Sequence, residues 1–130
     1  MILIDTDICI EILNKNELVI NERAKHDEDV AVCFMSIAEL YYGSARSSDT
    51  EKNNALIEEF LLTVDIIQTD LPILKRFGDL KSDLHDQGFL LPDADILIAA
   101  TTYEKARLLA TGKTKHFERF PNLYVENWIR

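Results

Sequence analysis

Two runs in this chain, Ile2-Leu3-Ile4 and Val30-Ala31-Val32-Cys33-Phe34-Met35, are apolar at every position rather than at alternate ones. Leu108-Leu109-Ala110 is a third run of the same kind. A strand with one wet face alternates polar and apolar residues. A strand without alternation is covered on both faces, which is the condition of a parallel sheet sandwiched between helices. The pattern predicts strands over residues 2–5, 30–35, 64–67 and 107–111, with a fifth, edge-like strand at 123–125. Segments of helical period fall between them. Strand and helix alternating along 130 residues imply one domain, 1–130, of three-layer α/β/α architecture around a central, mostly parallel five-stranded sheet.

The helices are expected at 8–13, 17–25, 36–43, 55–62, 70–87 and 93–105, with a turn and short helix over 112–118. Asp70-Leu71-Pro72 carries the proline expected in a first helical turn, and Gly88 stands where a helix ends in left-handed backbone. Ser44 to Asn53 is polar and reads as an exposed helix end and loop. Ile96-Leu97-Ile98-Ala99-Ala100 makes the helix after Pro92 the most apolar one, and so the most central.

Net charge is −9, which opposes generic nucleic-acid binding. The charge is uneven. Residues 1–101 hold 8 Lys/Arg against 20 Asp/Glu, whereas 102–130 hold 6 against 3. An acidic body thus carries a mildly basic C-terminal segment, in which Lys115 and Arg119 are candidate phosphate contacts and a solvated face is the plainer alternative. The first apolar stretch is four residues without a basic leader, and no run approaches the roughly 18 residues of a membrane span. A soluble, cytoplasmic protein without membrane contact is the expectation. Cys9 and Cys33 lack a paired-motif spacing and read as reduced, buried residues. His26, His85 and His116 share no ligand spacing and read as surface or structural.

The residues that point to chemistry are carboxylates at strand ends. In open parallel sheets, ligands bind beyond the carboxyl ends of the strands. The first strand ends in Asp5-Thr6-Asp7, which supplies more acid than one helix cap requires. Ser36-x-x-Glu39 follows the second strand and reads either as a capping box or as a second acid at the same sheet edge. Asp93 and Asp95 open the central helix, and Asp95, fixed by the apolar run after it, is the better candidate of the two. Such a cluster suggests a divalent metal, a phosphoryl-transfer nucleophile or plain capping. Like charges at close range are strained without a cation, and Mg²⁺ or Mn²⁺ prefers oxygen ligands of this kind.

Taken in order, Ile4-Asp5-Thr6-Asp7, Ser36-Ile-Ala-Glu39-Leu-Tyr-Tyr-Gly43, Asp95-Ile-Leu-Ile-Ala-Ala100, Leu109-Ala-Thr111-Gly-Lys-Thr-Lys-His-Phe117 and Pro121-Asn-Leu-Tyr-Val-Glu-Asn-Trp128 resemble the PIN-domain toxins of VapC type over nearly the whole chain. The resemblance implies a PIN-like fold and a Mg²⁺- or Mn²⁺-dependent endoribonuclease that cuts structured RNA such as tRNA or rRNA. It also implies a homodimer inhibited by a VapB-type antitoxin. On these positions Asp5, Glu39 and Asp95 match the acidic catalytic residues, with Asp5 and Asp95 as metal ligands. Thr6, Asp7, Asp93 and Thr111 are auxiliary.

Lys113 departs from the pattern, in which the second position after this threonine is usually Asp or Asn. It stands in place of a second metal, pairs with Asp5 or Asp95, or points to solvent, and a one-metal site at most is the expectation. Two rival functions follow from the same residues. Asp5-Thr6-Asp7 also fits the opening of Asp-nucleophile phosphatases, although the order of the later motifs differs and Glu39 would be idle. A pocket neutralised by Lys113 would bind RNA or a partner without cutting.

Overall fold

The computed structural model describes residues 1–129. The chain runs β1 (Ile2–Ile4), α1 (Thr6–Leu13), α2 (Glu17–Ala24), β2 (Val30–Cys33), α3 (Phe34–Ala45), α4 (Thr50–Leu61), β3 (Asp65–Ile67), α5 (Leu71–Asp86), α6 (Asp93–Lys105), β4 (Leu108–Ala110), α7 (Thr114–Phe117) and β5 (Val125–Glu126). The five strands form one sheet in the order β3-β2-β1-β4-β5. All four pairings are parallel, so the sheet is wholly rather than mostly parallel.

The apolar runs behave as a doubly covered sheet demands. Ile2, Ile4, Val30, Val32, Leu108 and Ala110 point to one side, where Ile8, Cys9, Val19, Ile57, Phe60 and Trp128 cover them. Leu3, Ala31, Cys33 and Leu109 point to the other, against Ile73, Leu80, Leu84, Ile96 and Ala99 of α5 and α6. Cys9 and Cys33 are free, buried and on opposite sides of the sheet, so they belong to different cores. No helix among the described residues is long and apolar enough to cross a membrane.

Several boundaries differ from the sequence reading. β2 ends at Cys33 rather than residue 35, because Phe34 and Met35 already belong to α3. Both pack against the α5/α6 core, so their apolarity reports burial at a helix start rather than strand. α1 begins at Thr6, directly after Asp5, whose side chain accepts from the Thr6 amide. α4 begins at Thr50 instead of residue 55, because Asp49 caps it by accepting from the Lys52 amide. Ser44, read as an exposed loop residue, is buried and donates to Asn54 Oδ1 at 2.6 Å, tying α3 to α4. β5 lies at Val125–Glu126, starting two residues and ending one residue beyond the expected 123–125. The signals at α5 hold: Asp70 accepts from the Ile73 amide, and Gly88 has φ +76° just past the helix.

The strand order places the chemistry. From β1 the chain moves outward through β2 to β3, then crosses back to lay β4 on the other side of β1. The crevice between β1 and β4 is therefore the point where the winding reverses, the position at which open α/β sheets bind ligands. Asp5 follows β1 and Thr111 follows β4, so both stand at that crevice.

Candidate active site

Asp5 is fully buried. Its Oδ1 accepts from the Thr6 amide at 2.7 Å, and its Oδ2 accepts from the Thr111 hydroxyl at 2.7 Å across the β1/β4 crevice. Lys113 Nζ lies 3.8 Å from the same Oδ2. Burial pushes the Asp5 carboxyl above its ordinary range, opposed chiefly by the Lys113 charge. Removing the Thr111 hydroxyl deprives a buried acceptor of its partner. Thr111→Val is therefore expected to cost about 1 kcal/mol in denaturant unfolding at neutral pH. No loss of stability in that variant would mean that the Asp5 oxygen finds another donor.

Asp7, in the first turn of α1, reaches over the crevice to the β4 side. Its Oδ2 accepts from the Gly112 amide at 2.9 Å, while its buried Oδ1 has no partner among the described residues. Burial, reinforced by the neighbouring Asp5 charge, raises its pKa to about 6. Gly112 is needed here for space. A Cβ on it would come within 3.0 Å of Asp7 Oδ2 and 2.5 Å of Ile129 Cδ1.

Glu39 joins the cluster through Thr6, whose hydroxyl donates to Glu39 Oε1 at 2.7 Å. Thr6 Oγ1 also lies 2.9 Å from Ser36 Oγ. A hydroxyl has one proton, and the carboxylate can only accept, so Ser36 must donate in that contact. The capping-box alternative for Ser36 and Glu39 fails. α3 starts at Phe34, its N-cap Cys33 makes no side-chain cap bond, and Ser36 already lies inside the helix with its side chain turned to Thr6.

Asp95 lies in the first turn of α6 and is buried, held by the apolar residues that follow it. Both of its oxygens are engaged. Oδ1 accepts from Lys113 Nζ at 2.8 Å, and Oδ2 lies 2.9 Å from His116 Nδ1. Lys113 and His116 are three residues apart at the start of α7, the spacing that sets two side chains on one face of a helical turn. Burial disfavours the Lys113 ammonium, but its bond to Asp95 and the charges of Asp5, Asp95 and Asp7 outweigh this and raise its pKa. Lys113 thus points into the pocket, paired with Asp95 and close to Asp5, and the solvent-facing alternative is excluded.

The structure therefore gathers Asp5, Thr6, Asp7, Glu39, Asp95, Thr111 and Lys113 at one crevice. It adds Ser36, Gly112 and His116, which the sequence reading left out of the site. Only the Lys113-x-x-His116 spacing offered a signal for the histidine. The other two histidines stay outside: His26 stacks on Trp128 and His85 is exposed. Asp93, an expected auxiliary acid, is half-exposed and bonded to Lys81 Nζ at 2.9 Å on α5, so its charge is spent away from the pocket. Lys115 is exposed on α7, and the Arg119 guanidinium lies over the Phe89 ring at 3.2 Å.

The PIN domain pattern matches residues 2–122. The chain belongs to the PIN-domain family. Ribonuclease VapC2 of Haemophilus influenzae is 34% identical over 128 residues, covering 98% of this chain and 97% of that protein. The tRNA(fMet)-specific endonuclease VapC of Shigella flexneri is 28% identical, over 97% and 96% of the two chains. Among solved structures, VapBC2 of Rickettsia felis bound to a promoter DNA fragment superposes with a TM-score of 0.90 at 32% identity, over 98% and 99%. The chain thus covers nearly the whole length of these VapC relatives.

Proposed function

We propose that this protein is an endoribonuclease toxin of a toxin–antitoxin pair, which hydrolyses RNA phosphodiester bonds at the Asp5/Glu39/Asp95 crevice with the aid of Mg²⁺ or Mn²⁺. The observation that carries the reading is the grouping of four carboxylates at the topological switch point, one of them with an unpartnered buried oxygen, Asp7 Oδ1. The names of the VapC relatives, ribonuclease and tRNA-specific endonuclease, support the reaction class. The VapBC complexes support a VapB-type antitoxin as the partner. A homodimer is the assembly expected with it.

The donor chemistry of the pocket, carboxylate oxygens with the hydroxyls of Thr6, Ser36 and Thr111, is the kind that hard divalent ions prefer. With Lys113 seated among them, no three of these carboxylates converge on a single point; among the described residues the acidic group that does so is Glu22, His26 and Glu126, outside the crevice. Four carboxylates against the single ammonium of Lys113 leave a formal excess of three negative charges. Asp5, with Asp7, Glu39 and Asp95 around it, would hold the ion, which would supply an activated water and positive charge at the phosphoryl oxygens. Thr111 and the Thr6 amide hold Asp5 in place, and Thr6 carries Glu39 toward it. Lys115 and Arg119, both exposed, are candidates for contact with the RNA backbone.

The Lys113–Asp95 pair favours a second reading, in which the neutralised pocket grips RNA without cutting it. The phosphatase alternative has no such support, because Glu39, idle in that scheme, is joined to Asp5 through Thr6. Chelated protein is expected to leave tRNA and rRNA fragments intact and to cut one of them once Mn²⁺ is restored. Tight RNA binding with no cleavage at any Mn²⁺ concentration would establish the binding reading instead.

A further inference from the structure

The ammonium of Lys113 sits 2.8 Å from Asp95 Oδ1 and 3.8 Å from Asp5 Oδ2. Both carboxylates are buried, Asp5 at the end of β1 and Asp95 in the first turn of α6. Nζ thus occupies the space between the two carboxylates, where a cation shared by them would otherwise be expected. The other oxygen of Asp95, Oδ2, lies 2.9 Å from His116 Nδ1, so each of its oxygens already has a partner. The lysine is held there from several directions. Its amide donates to Thr111 Oγ1 at 3.0 Å, its neighbour Gly112 is bonded to Asp7, and Nζ stands 6.0 Å from the centre of the Phe117 ring. The side chain is still 37% exposed, so the ammonium faces the open mouth of the crevice as well as its floor.

We propose that Lys113 is the second cation of this site. Its ammonium, seated between Asp95 and Asp5, limits the crevice to one divalent ion and contacts the phosphate of bound RNA. Asp95 then acts mainly as a positioning residue, holding Lys113 on one oxygen and His116 on the other. The ion would then draw on Asp5, Asp7 and Glu39, which are linked through Thr6 and the turn from β1 into α1. The inference rests on the metal-dependent reading above and refines its charge arrangement. A fixed ammonium brings one positive charge to the phosphate with no requirement for a second ion from solution.

Mn²⁺ binding by calorimetry, with electron paramagnetic resonance of the loaded protein, tests this without reference to activity. The wild type is expected to bind one Mn²⁺ with the spectrum of an isolated ion. Lys113→Asp is expected to bind two, with the exchange-broadened signal of a close pair. Lys113→Gln, which adds no carboxylate and keeps the size of the side chain, is expected to bind Mn²⁺ at least tenfold more tightly. Lys113→Arg should retain one ion and keep the KM for RNA within about threefold, whereas Lys113→Gln should raise that KM. Two ions in the wild type, or unchanged affinity in Lys113→Gln, would overturn the role of the lysine and leave the metal reading intact. No Mn²⁺ bound by the wild type or either charge-altering variant would overturn both.

Discussion

Replacing Asp5 with Asn is expected to lower RNA cleavage at least a hundredfold while leaving the protein folded. The two halves of that result have separate causes. Asp5 is the most deeply buried acid of the crevice, and three groups address it: the Thr6 amide, the Thr111 hydroxyl and the Lys113 ammonium. Asn keeps the shape and an acceptor for the Thr6 amide, and its amide group can donate to Thr111 Oγ1, which also accepts. Folding therefore loses little, and it sheds a carboxyl whose charge burial already disfavours. What is lost is the charge that would hold the ion, and removing one preorganised electrostatic element from a buried site typically costs about 10²–10³ in rate. Growth arrest on induced expression should disappear with it. Cleavage or arrest at the wild-type level in Asp5→Asn, with unfolding curves that superpose, would remove metal-dependent hydrolysis as the mechanism.

The second large effect is a change of stability with pH that belongs to Asp7. Its pKa rises from the usual 3.8 to about 6 in the folded protein. The folded state thus holds this proton more tightly than the unfolded chain does. The sign follows: the charged form destabilises the fold above pH 6, and the penalty fades as pH falls toward 4. A displacement of that size corresponds to about 3 kcal/mol at most, and partial solvent access lowers the expected penalty to about 1–2 kcal/mol. Other carboxylates run the opposite way, since Glu28, paired with Arg107 and the N-terminus, is held down at about 2. The comparison must therefore be between wild type and Asp7→Asn. In chelator, the variant is expected to be the more stable by about 1–2 kcal/mol at pH 7.5, and the two should converge near pH 4.5. A difference that stays constant across that range would show that the Asp7 charge is already compensated. Saturating Mn²⁺ should narrow the gap at pH 7.5, because a ligand bound only by the folded state stabilises it.

The sequence made the sheet legible because strands buried on both faces carry no polar residues, and the two sides of β1, β2 and β4 use every apolar position. Its boundaries were less legible for the same reason. Phe34 and Met35 continue the apolar run of β2 although the backbone has turned into α3, since a helix start buried against α6 needs the same residue types as a strand. α4 started five residues early because a single Asp49 cap overrode a polar composition that resembled loop.

In the site, Asp5 and Glu39 could be placed from the ends of β1 and β2, and Asp95 from the start of the apolar central helix α6. Directions of side chains were another matter. Asp93 and Asp95 are two residues apart on one helix turn, and only the packing of α6 decides that Asp95 faces Lys113 while Asp93 faces Lys81. Ser36 looked like a cap because a capping box and a site hydroxyl have the same spelling. His116 was missed because its partner, Asp95, lies 21 residues away in sequence and meets it only when α7 folds over the crevice.

The most direct test of hydrolysis at this crevice is the chemistry of the RNA ends it leaves. Attack by water forms a new P–O bond and breaks the bond to O3′, which departs with a proton. End-group analysis of RNA cut by the Mn²⁺-loaded protein is therefore expected to show 5′-phosphate and 3′-hydroxyl ends, with no cutting after chelation. Ends bearing 2′,3′-cyclic phosphate, or cleavage that persists in chelator, would mean that the RNA's own 2′-hydroxyl is the nucleophile and would contradict the mechanism.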